Sequence, residues 1–261
     1  MQAERGYLIP AVNTDTVDYV ACARALSLSI KQWHPTALTC LLTDTVIEDS
    51  AFDYVVPLPC GDQARDSNWK LSNDWQCFRA TPFRQTIKLE ADMLATSPID
   101  HWWALFELRD VVISQGCRTY YDTPATSRAY RKLFDNNHLP DVYNAITYWR
   151  RSSQAKAFFD MVQNIFENWP QWRTLLKFPD DVPTTDVVYA MAAQVMGVEN
   201  VTLPPGHGPS IVHMKSGIQA VHSPDWTQEL VWEHTNPGLR IQTVAQFGFF
   251  HYHNKEWILH G

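Results

Sequence analysis

Two carboxylates, Glu90 and Asp92, follow the segment 85–89, whose mostly apolar end predicts a β-strand. Side chains two positions apart on an extended chain point to the same side, so the strand would end in a pair of acids. Such a pair repels unless a proton or a cation lies between its members. A hard divalent ion, Mg²⁺ or Mn²⁺, suits these oxygen ligands and leaves coordination positions open for phosphate. The same spacing is equally typical of a solvated turn.

A histidine late in the chain is of a residue type that can bind a metal ion. His213 lies in the apolar segment 211–214, which predicts a short strand. A neutral imidazole beside two carboxylates is a ligand set that suits Mn²⁺. Lys215 would then reach a bound diphosphate and help it to depart as a leaving group. A hydrogen-bonded core histidine is the alternative interpretation of His213.

The elements that must position these residues alternate between strands and helices. Strands are predicted at 6–13, 38–42, 54–58, 85–89, 110–114 and 142–149. Helices are predicted from a cap at Asp15 or Thr16 to Trp33, and at 74–80, 99–106, 127–136, 153–169 and 183–196. This order predicts an α/β fold with a mostly parallel sheet flanked by helices and with ligands at the carboxyl ends of its strands. From Val201 onward we expect short strands and loops, a C-terminal elaboration.

Composition limits the classes of protein that the chain can be. With 261 residues, 45% apolar and 19% charged, the chain can bury one substantial core, and we expect a single domain. Its longest apolar runs fall short of the ~20 residues of a membrane span. Five scattered cysteines without a Cys-x-x-Cys pair, and an N-terminus without a signal-peptide pattern, indicate the cytoplasm and argue against a disulfide framework or a zinc site.

The charge is unevenly distributed. The net charge of −7 would repel nucleic acid, yet the stretch Arg128 to Lys156 holds six cations and two anions. One interpretation is an ordinary solvated helix face, and the other is a docking surface for a polyanionic acceptor. The 11 tryptophans and 13% aromatic residues are a mild indication of a carbohydrate or nucleobase site, where flat rings stack.

The segment 81–94, Thr-Pro-Phe-Arg-Gln-Thr-Ile-Lys-Leu-Glu-Ala-Asp-Met-Leu, resembles the D-x-D region of glycosyltransferases with the GT-A fold, with Glu90 in place of the first Asp. The resemblance implies a Rossmann-type sheet and a metal-dependent transfer of sugar from a nucleoside diphosphate, with UDP favoured. It implies Asp92 as the main metal ligand, supported by Glu90 and, from an I-x-H-x-x-G-like segment at 210–215, by His213. Ala91 and Arg84 would lie beside the donor.

Three further segments extend the resemblance over roughly residues 6–216. The segment Pro10, Ala11, Asn13 and Thr14, with Tyr19 on the next helix, looks like the nucleotide-binding start of glycogenin-like enzymes, in which a tyrosine stacks on uracil. Tyr19 is equally well read as a half-buried helix aromatic. The strand 141–149 resembles the N-A-G strand of the family, which places Asn144 beside the donor sugar. The resemblance divides the chain into a nucleotide-binding half, 1–125, and an acceptor and third-ligand half, 126–261.

Asp186 is the candidate catalytic carboxylate on the acceptor side, with Asp180 and Asp181 as neighbours, and it is equally well explained as a helix N-terminal acid. Trp69, Lys70 and the segment 249–253 are unspecific phosphate or acceptor contacts. The amino-acid sequences of the predicted strands are most similar to those of glycosyltransferases of tailed phages, some of which modify hydroxymethylated cytosines in DNA. This similarity would give the basic stretch a DNA acceptor and place the protein in the host cytoplasm.

Two other functions remain open at this point. A nucleotidyltransferase would normally have a glycine-rich loop after its first strand, and the segment 13–16, Asn-Thr-Asp-Thr, contains no glycine. A non-catalytic DNA- or glycan-binding module would bind its acceptor without a metal.

Overall fold

The computed structural model describes residues 3–59, 73–204, 206–209 and 211–260. Within them the strands are β1 Ala3–Pro10, β2 Thr39–Thr43, β3 Tyr54–Pro57, β4 Phe83–Leu89, β5 Met93–Ala95, β6 Val111–Gln115, β7 Cys117–Arg118, β8 Val142–Arg150, β9 Ile211–His213, β10 Trp232–His234, β11 Leu239–Ile241, β12 Val244–Ala245 and β13 Phe249–His251. The α-helices are α1 Tyr19–Trp33, α2 Cys77–Ala80, α3 His101–Phe106, α4 Lys132–Asn137, α5 Ser153–Glu167, α6 Trp169–Leu176, α7 Thr185–Met196 and α8 Lys255–His260.

The central sheet has six strands in the order β3-β2-β1-β4-β8-β6. Strands β3, β2, β1 and β4 pair in parallel, whereas β8 runs antiparallel to both of its neighbours. The predicted mostly parallel sheet flanked by helices is therefore confirmed. The reversal of β8 brings the beginning of that strand, with Asn144, to the carboxyl ends of β1 and β4.

Both faces of this sheet are buried, because residues of β1 point alternately to two apolar clusters. Tyr7 and Ile9 pack with α1 and α3 on one face, and Leu8 packs with α5 and α7 on the other. Gly6 permits a close approach at the start of the sheet, since a Cβ there would lie 2.4 Å from the Phe83 ring.

A second sheet of four strands, in the order β5-β13-β9-β7, covers the α1 side of the molecule. Its strand β5 begins four residues after the end of β4, so the segment with Glu90 and Asp92 connects the two sheets. Strand β13 pairs with β5 antiparallel and with β9 in parallel, which places His251 beside His213. A small third sheet, β10-β11-β12, completes the C-terminal elaboration that the sequence predicts.

The predicted elements agree with the structure in type more than in bounds. Thr184 caps α7 by accepting from the Val187 N–H. The predicted cap of α1 at Asp15 or Thr16 is wrong, because the Asp18 side chain accepts from the Ala21 N–H and the helix begins later. The helix predicted at 153–169 is α5, which ends at Glu167, and β5, α6 and α8 were not predicted. In the part of the chain that is described, no helix has the length and apolarity to cross a bilayer.

Candidate functional site

A cleft of about 450 Å³ lies at the carboxyl ends of β1 and β4. The two strand ends supply its floor, and the start of α1, the start of α7, Asn144 and the C-terminal segment supply its walls. Nine predicted site residues line it together: Pro10, Ala11, Thr14, Tyr19, Glu90, Ala91, Asp92, Asn144 and Lys215. The parallel strands therefore converge on one cavity, the place where an α/β sheet binds its ligands.

The acidic pair meets an imidazole from the second sheet. Nε2 of His251 lies 3.1 Å from Asp92 Oδ1 and 3.5 Å from Glu90 Oε2. One ligand atom from each of these three residues lies within 4.8 Å of the others. Backbone bonds hold the pair between the two sheets, because the Glu90 N–H donates to the Ala145 carbonyl and the Tyr252 N–H donates to the Asp92 carbonyl. Two carboxylates and one imidazole thus face a common point.

The protonation preferences of the acidic pair differ. Burial raises the pKa of Glu90 to about 7, an effect that His251 opposes and the charge of Asp92 reinforces. Burial also acts to raise the pKa of Asp92, but His251 and Lys255 outweigh it and hold that pKa well below its usual range. The pKa of His251 is raised, because attraction to Asp92 exceeds the effect of burial. Asp92 is therefore the firmly ionised member of the pair.

Two lysines and a tyrosine stand around the acids. Lys255, at the start of α8, places Nζ 2.7 Å from Asp92 Oδ2 and 5.9 Å from the centre of the Tyr19 ring. Lys215 is exposed and holds Nζ 4.5 Å from the centre of the Tyr130 ring. Tyr19 is half-buried on the rim of the cleft, with Lys255 beside it. The cleft thus combines anionic ligands, cationic side chains and one flat aromatic face.

His213 belongs to a group of histidines behind the acids. Its Nε2 lies 3.3 Å from Nε2 of His253, and its ring centre lies 4.8 Å from that of His251. Burial, together with neighbouring positive charge, lowers the pKa of both His213 and His253 well below the usual value. The structure therefore places His251, instead of the predicted His213, in direct reach of Glu90 and Asp92.

A buried polar network also lines the cleft. Nζ of Lys88 donates to both carboxylate oxygens of Asp74 and to Asn144 Oδ1, each at 2.8 Å. The hydroxyls of Tyr189 and Thr147 support it from behind, donating to Asp74 and to Asn144 Oδ1. Asp74, Lys88 and Asn144 all line the cleft although each is at least 95% buried. These charge-assisted bonds hold Asn144 in one orientation at the cleft.

Asp186 lies one residue beyond the cleft lining at Thr185. It accepts from the Asn144 backbone N–H at 2.8 Å and from Arg131 at 3.0 Å. Arg131 is 3% exposed and also binds Asp141. The predicted catalytic carboxylate is thus engaged in holding Asn144 and α7 in position, and it is half-buried.

Two predicted binding residues lie elsewhere. Asn13 is exposed, and its Oδ1 accepts from the Val20 N–H at the start of α1. Arg84 lies at the amino end of β4, six residues before Glu90 and so roughly 20 Å away, where it faces Glu4. Topology therefore does not bring Arg84 to the cleft. Trp69, Lys70 and Ser210 lie outside the described residues.

The basic stretch does not form one cationic face. Arg128 and Arg131 bind Asp141, Arg150 binds Asp110, and Lys156 binds Asp160. The Arg151 side chain donates to the backbone carbonyls of Arg79 and Thr81. Arg151 and Lys132 are exposed cations with no ion pair in the part of the chain that is described. Most of the predicted polyanion-docking charge is therefore neutralised within the fold.

Sequence reasoning missed three residues of the site, Asp74, Lys88 and Lys255, and it named His251 and His253 only within the segment 249–253 of unspecific phosphate or acceptor contacts. His251 and His253 had a usable signal, because two histidines two positions apart at the end of an apolar run point to the same side of a strand. Lys88 also had one, since a lysine within the run 85–89 of a predicted buried strand requires a buried partner. That partner, Asp74, lies in a turn that periodicity does not connect to β4.

No protein-family model matches the chain, and no curated protein does. Similar solved structures are glycosyltransferases, the class that the sequence resembles. The galactosyltransferase LgtC, in complex with donor and acceptor sugar analogues, is 10% identical over 71% of this chain and 70% of its own, with a TM-score of 0.47. Mouse xyloside xylosyltransferase 1 is 11% identical over 77% of this chain and 84% of its own, with a TM-score of 0.46. The glycosyltransferase GlyE of Streptococcus pneumoniae TIGR4 is 10% identical over 77% of this chain and 45% of its own, with a TM-score of 0.45. Because these likenesses are faint, we base the function on the chain's own residues.

Proposed function

We propose that the chain is a metal-dependent glycosyltransferase that moves a sugar from a nucleoside diphosphate to a hydroxyl acceptor. The observation that carries this proposal is the meeting of Glu90, Asp92 and His251 in a cleft that also holds two lysines, an aromatic rim and a buried polar network. A diphosphate, a base and a sugar each find matching chemistry in one cavity of about 450 Å³.

The residues present fit a divalent ion. The carboxylates of Glu90 and Asp92 both contact the imidazole of His251. The ammonium of Lys255 contacts Asp92, which shows that the acids attract positive charge. Two carboxylates and one imidazole suit Mn²⁺ better than Mg²⁺, which prefers oxygen ligands alone. When bound, the ion would neutralise charge that develops on the departing diphosphate.

The chain's own side chains would divide the remaining work. Lys215 would donate to diphosphate oxygens, Lys255 would hold Asp92, and Tyr19 would offer its ring to the base. Lys88 and Asp74 would fix Asn144, whose side-chain amide would donate to a sugar hydroxyl. Catalysis would come from positioning and from stabilisation of the leaving group, since the sugar and its acceptor are held in a fixed geometry.

The acceptor is proposed only as a hydroxyl compound that enters beside α7, where Pro183 and Thr185 form the rim. The narrower hypothesis of a hydroxymethylated base in phage DNA depends on the basic stretch. Because ion pairs within the fold engage most of that charge, a glycan or small molecule is the favoured acceptor.

Calorimetry with UDP and Mn²⁺ tests the donor half of the proposal. We expect UDP to bind the native chain only when Mn²⁺ is present, and Asp92→Asn to weaken this binding at least tenfold. Asp49→Asn, which alters a carboxylate beside Arg24 on the surface, is the matched control and should bind as the native chain does. Metal-independent binding, or undiminished binding by Asp92→Asn, would refute the metal site.

A panel of nucleotide sugars tests the transfer half. The chain is incubated with each sugar and with glycan, small-molecule or hydroxymethylated DNA acceptors, and the products are weighed by mass spectrometry. A mass gain of one sugar, with release of a nucleoside diphosphate, supports the proposal. Release of a sugar 1-phosphate, with the nucleoside monophosphate transferred to the acceptor, would instead indicate a nucleotidyltransferase. Acceptor binding without metal or turnover would indicate a binding module.

A further inference from the structure

The three histidines behind the acids form a cluster with its own geometry. His251 and His213 are paired across the parallel strands β13 and β9, so their side chains leave the same face of the second sheet. His253, two residues after His251, has a left-handed backbone with φ 58°, and its ring stacks on that of His251 at 4.1 Å. One nitrogen from each ring lies within 4.8 Å of the other two.

The spacing of the nitrogens matches a coordination polyhedron. Nε2 of His213 and Nε2 of His253 are 3.3 Å apart. Ligands of a tetrahedral zinc ion, at metal–nitrogen distances of about 2.0–2.1 Å, are separated by about 3.3–3.4 Å. One ring nitrogen of His251 lies within 4.8 Å of both and completes the set.

An unsatisfied buried nitrogen supports a ligand here. Nδ1 of His251 is buried and has no hydrogen-bond partner within the described residues, while Nε2 of the same ring faces Glu90 and Asp92. A buried polar atom without a partner costs about 1–3 kcal/mol, so the fold retains this ring at a measurable expense. The neighbouring carboxylates of Glu90 and Asp92 would offset the charge of an ion held by neutral imidazoles.

We propose that His213, His251 and His253 form a second, nitrogen-only site that takes a transition-metal ion such as Zn²⁺ or Co²⁺. It adjoins the acidic site and shares His251 with it. Three imidazoles favour these borderline ions over Mg²⁺, whereas the acidic pair favours harder ions. The two sites therefore differ in the metal that they select, and the histidine site does not require that the chain be a transferase.

Visible absorption of bound Co²⁺, recorded without nucleotide, tests the proposal because tetrahedral Co²⁺ absorbs far more strongly than octahedral Co²⁺. We expect intense bands with the native chain, at one ion per chain, that one equivalent of Zn²⁺ removes. His253→Gln should weaken Co²⁺ binding by about tenfold or more, since even an outer-shell partner is worth 10–100-fold. Asp92→Asn should keep the bands, and so should the control His222→Ala, which changes an exposed histidine.

The outcomes separate the two sites. Bands that persist in His253→Gln, or that are absent from the native chain, would overturn the histidine site. Loss of the bands in Asp92→Asn would show a single centre built on the acids and would overturn it as well. X-ray absorption of the Zn²⁺-loaded native chain gives a second readout that needs no variant, with three imidazole ligands expected. Since no nucleotide is present, failure of the transferase proposal alone would leave these results unchanged.

Discussion

The buried pair Lys88–Asp74 gives a quantitative test of how the polar network that lines the cleft is held together. Lys88→Met keeps most of the side-chain volume but removes the ammonium that donates to Asp74 and Asn144 at 2.8 Å. The two paired side chains are only 2% and 4% exposed, so water does not replace the lost partner. Breaking such a pair costs about 3–5 kcal/mol. Tyr189 still donates to Asp74, at 2.5 Å, so we expect the lower end, about 3 kcal/mol.

Urea unfolding followed by tryptophan fluorescence measures this loss. A second change, Asp74→Asn, removes the unpaired carboxylate charge of the Lys88→Met chain and keeps an oxygen that accepts from Tyr189. The double variant should therefore regain roughly 2 kcal/mol of the lost free energy of unfolding. Lys156→Met is the control, because its pair with Asp160 is 64% and 47% exposed, and it should change stability by less than about 0.5 kcal/mol. A loss below about 1 kcal/mol for Lys88→Met, or no recovery in the double variant, would refute the reasoning.

Three further predictions concern the framework of the site. Gly6→Ala places a methyl group 2.4 Å from the buried ring of Phe83 and should destabilise the chain by roughly 1–3 kcal/mol in urea unfolding. Arg131→Met removes charged hydrogen bonds to Asp186 and should cost about 2 kcal/mol in the same assay, whereas an unchanged midpoint would contradict the positioning role. Partial burial acts to raise the pKa of Asp53, but a backbone N–H and a lysine outweigh it and lower that pKa. Because a carboxylate with a lowered pKa stabilises above its unfolded pKa and loses this contribution as pH falls, Asp53→Asn should be less stable than the native chain at about pH 6, and the gap should close below about pH 4.

The fold was predictable wherever local pattern and tertiary environment agree. The apolar stripe of α5 and its cap at Ser152 can both be predicted from the sequence, because both depend on residues close together in the chain. The Ser152 side chain accepts from the Ala155 N–H within the first turn. The end of that helix could not be predicted, since Trp169 and Pro170 begin a new helix and not a loop. The late cap of α1 at Asp18 was missed because several side chains in 13–18 are capable of capping.

The site was predictable on the side that β1 and β4 supply, since parallel strands deliver their ends to one edge. The predicted cleft residue Asp92 follows from this rule. Asn144 does not, because it reaches the same edge only through the antiparallel direction of β8, and it was predicted from the family resemblance. The second sheet does not follow from it, because its strands β5, β9 and β13 are three residues each and their pairings are distant in sequence. Met93 pairs with His251, and His213 pairs with His251. Which histidine faces the acids depends on that pairing, so His213 was chosen where the structure places His251.

The acids lie where the chain passes from one sheet to the other, and this position has an energetic consequence. Glu90 is tied to β8 through the Ala145 carbonyl, and Asp92 is tied to the second sheet through the Tyr252 N–H. An ion that binds both acids and His251 would therefore fasten the two sheets to each other. Binding at one hundred times Kd stabilises the chain by about 2.7 kcal/mol. Since the link spans both sheets, amides of β5 and β13 should gain as much protection from hydrogen exchange on adding Mn²⁺ as those of β4. Protection confined to β4 would mean that the ion does not engage His251.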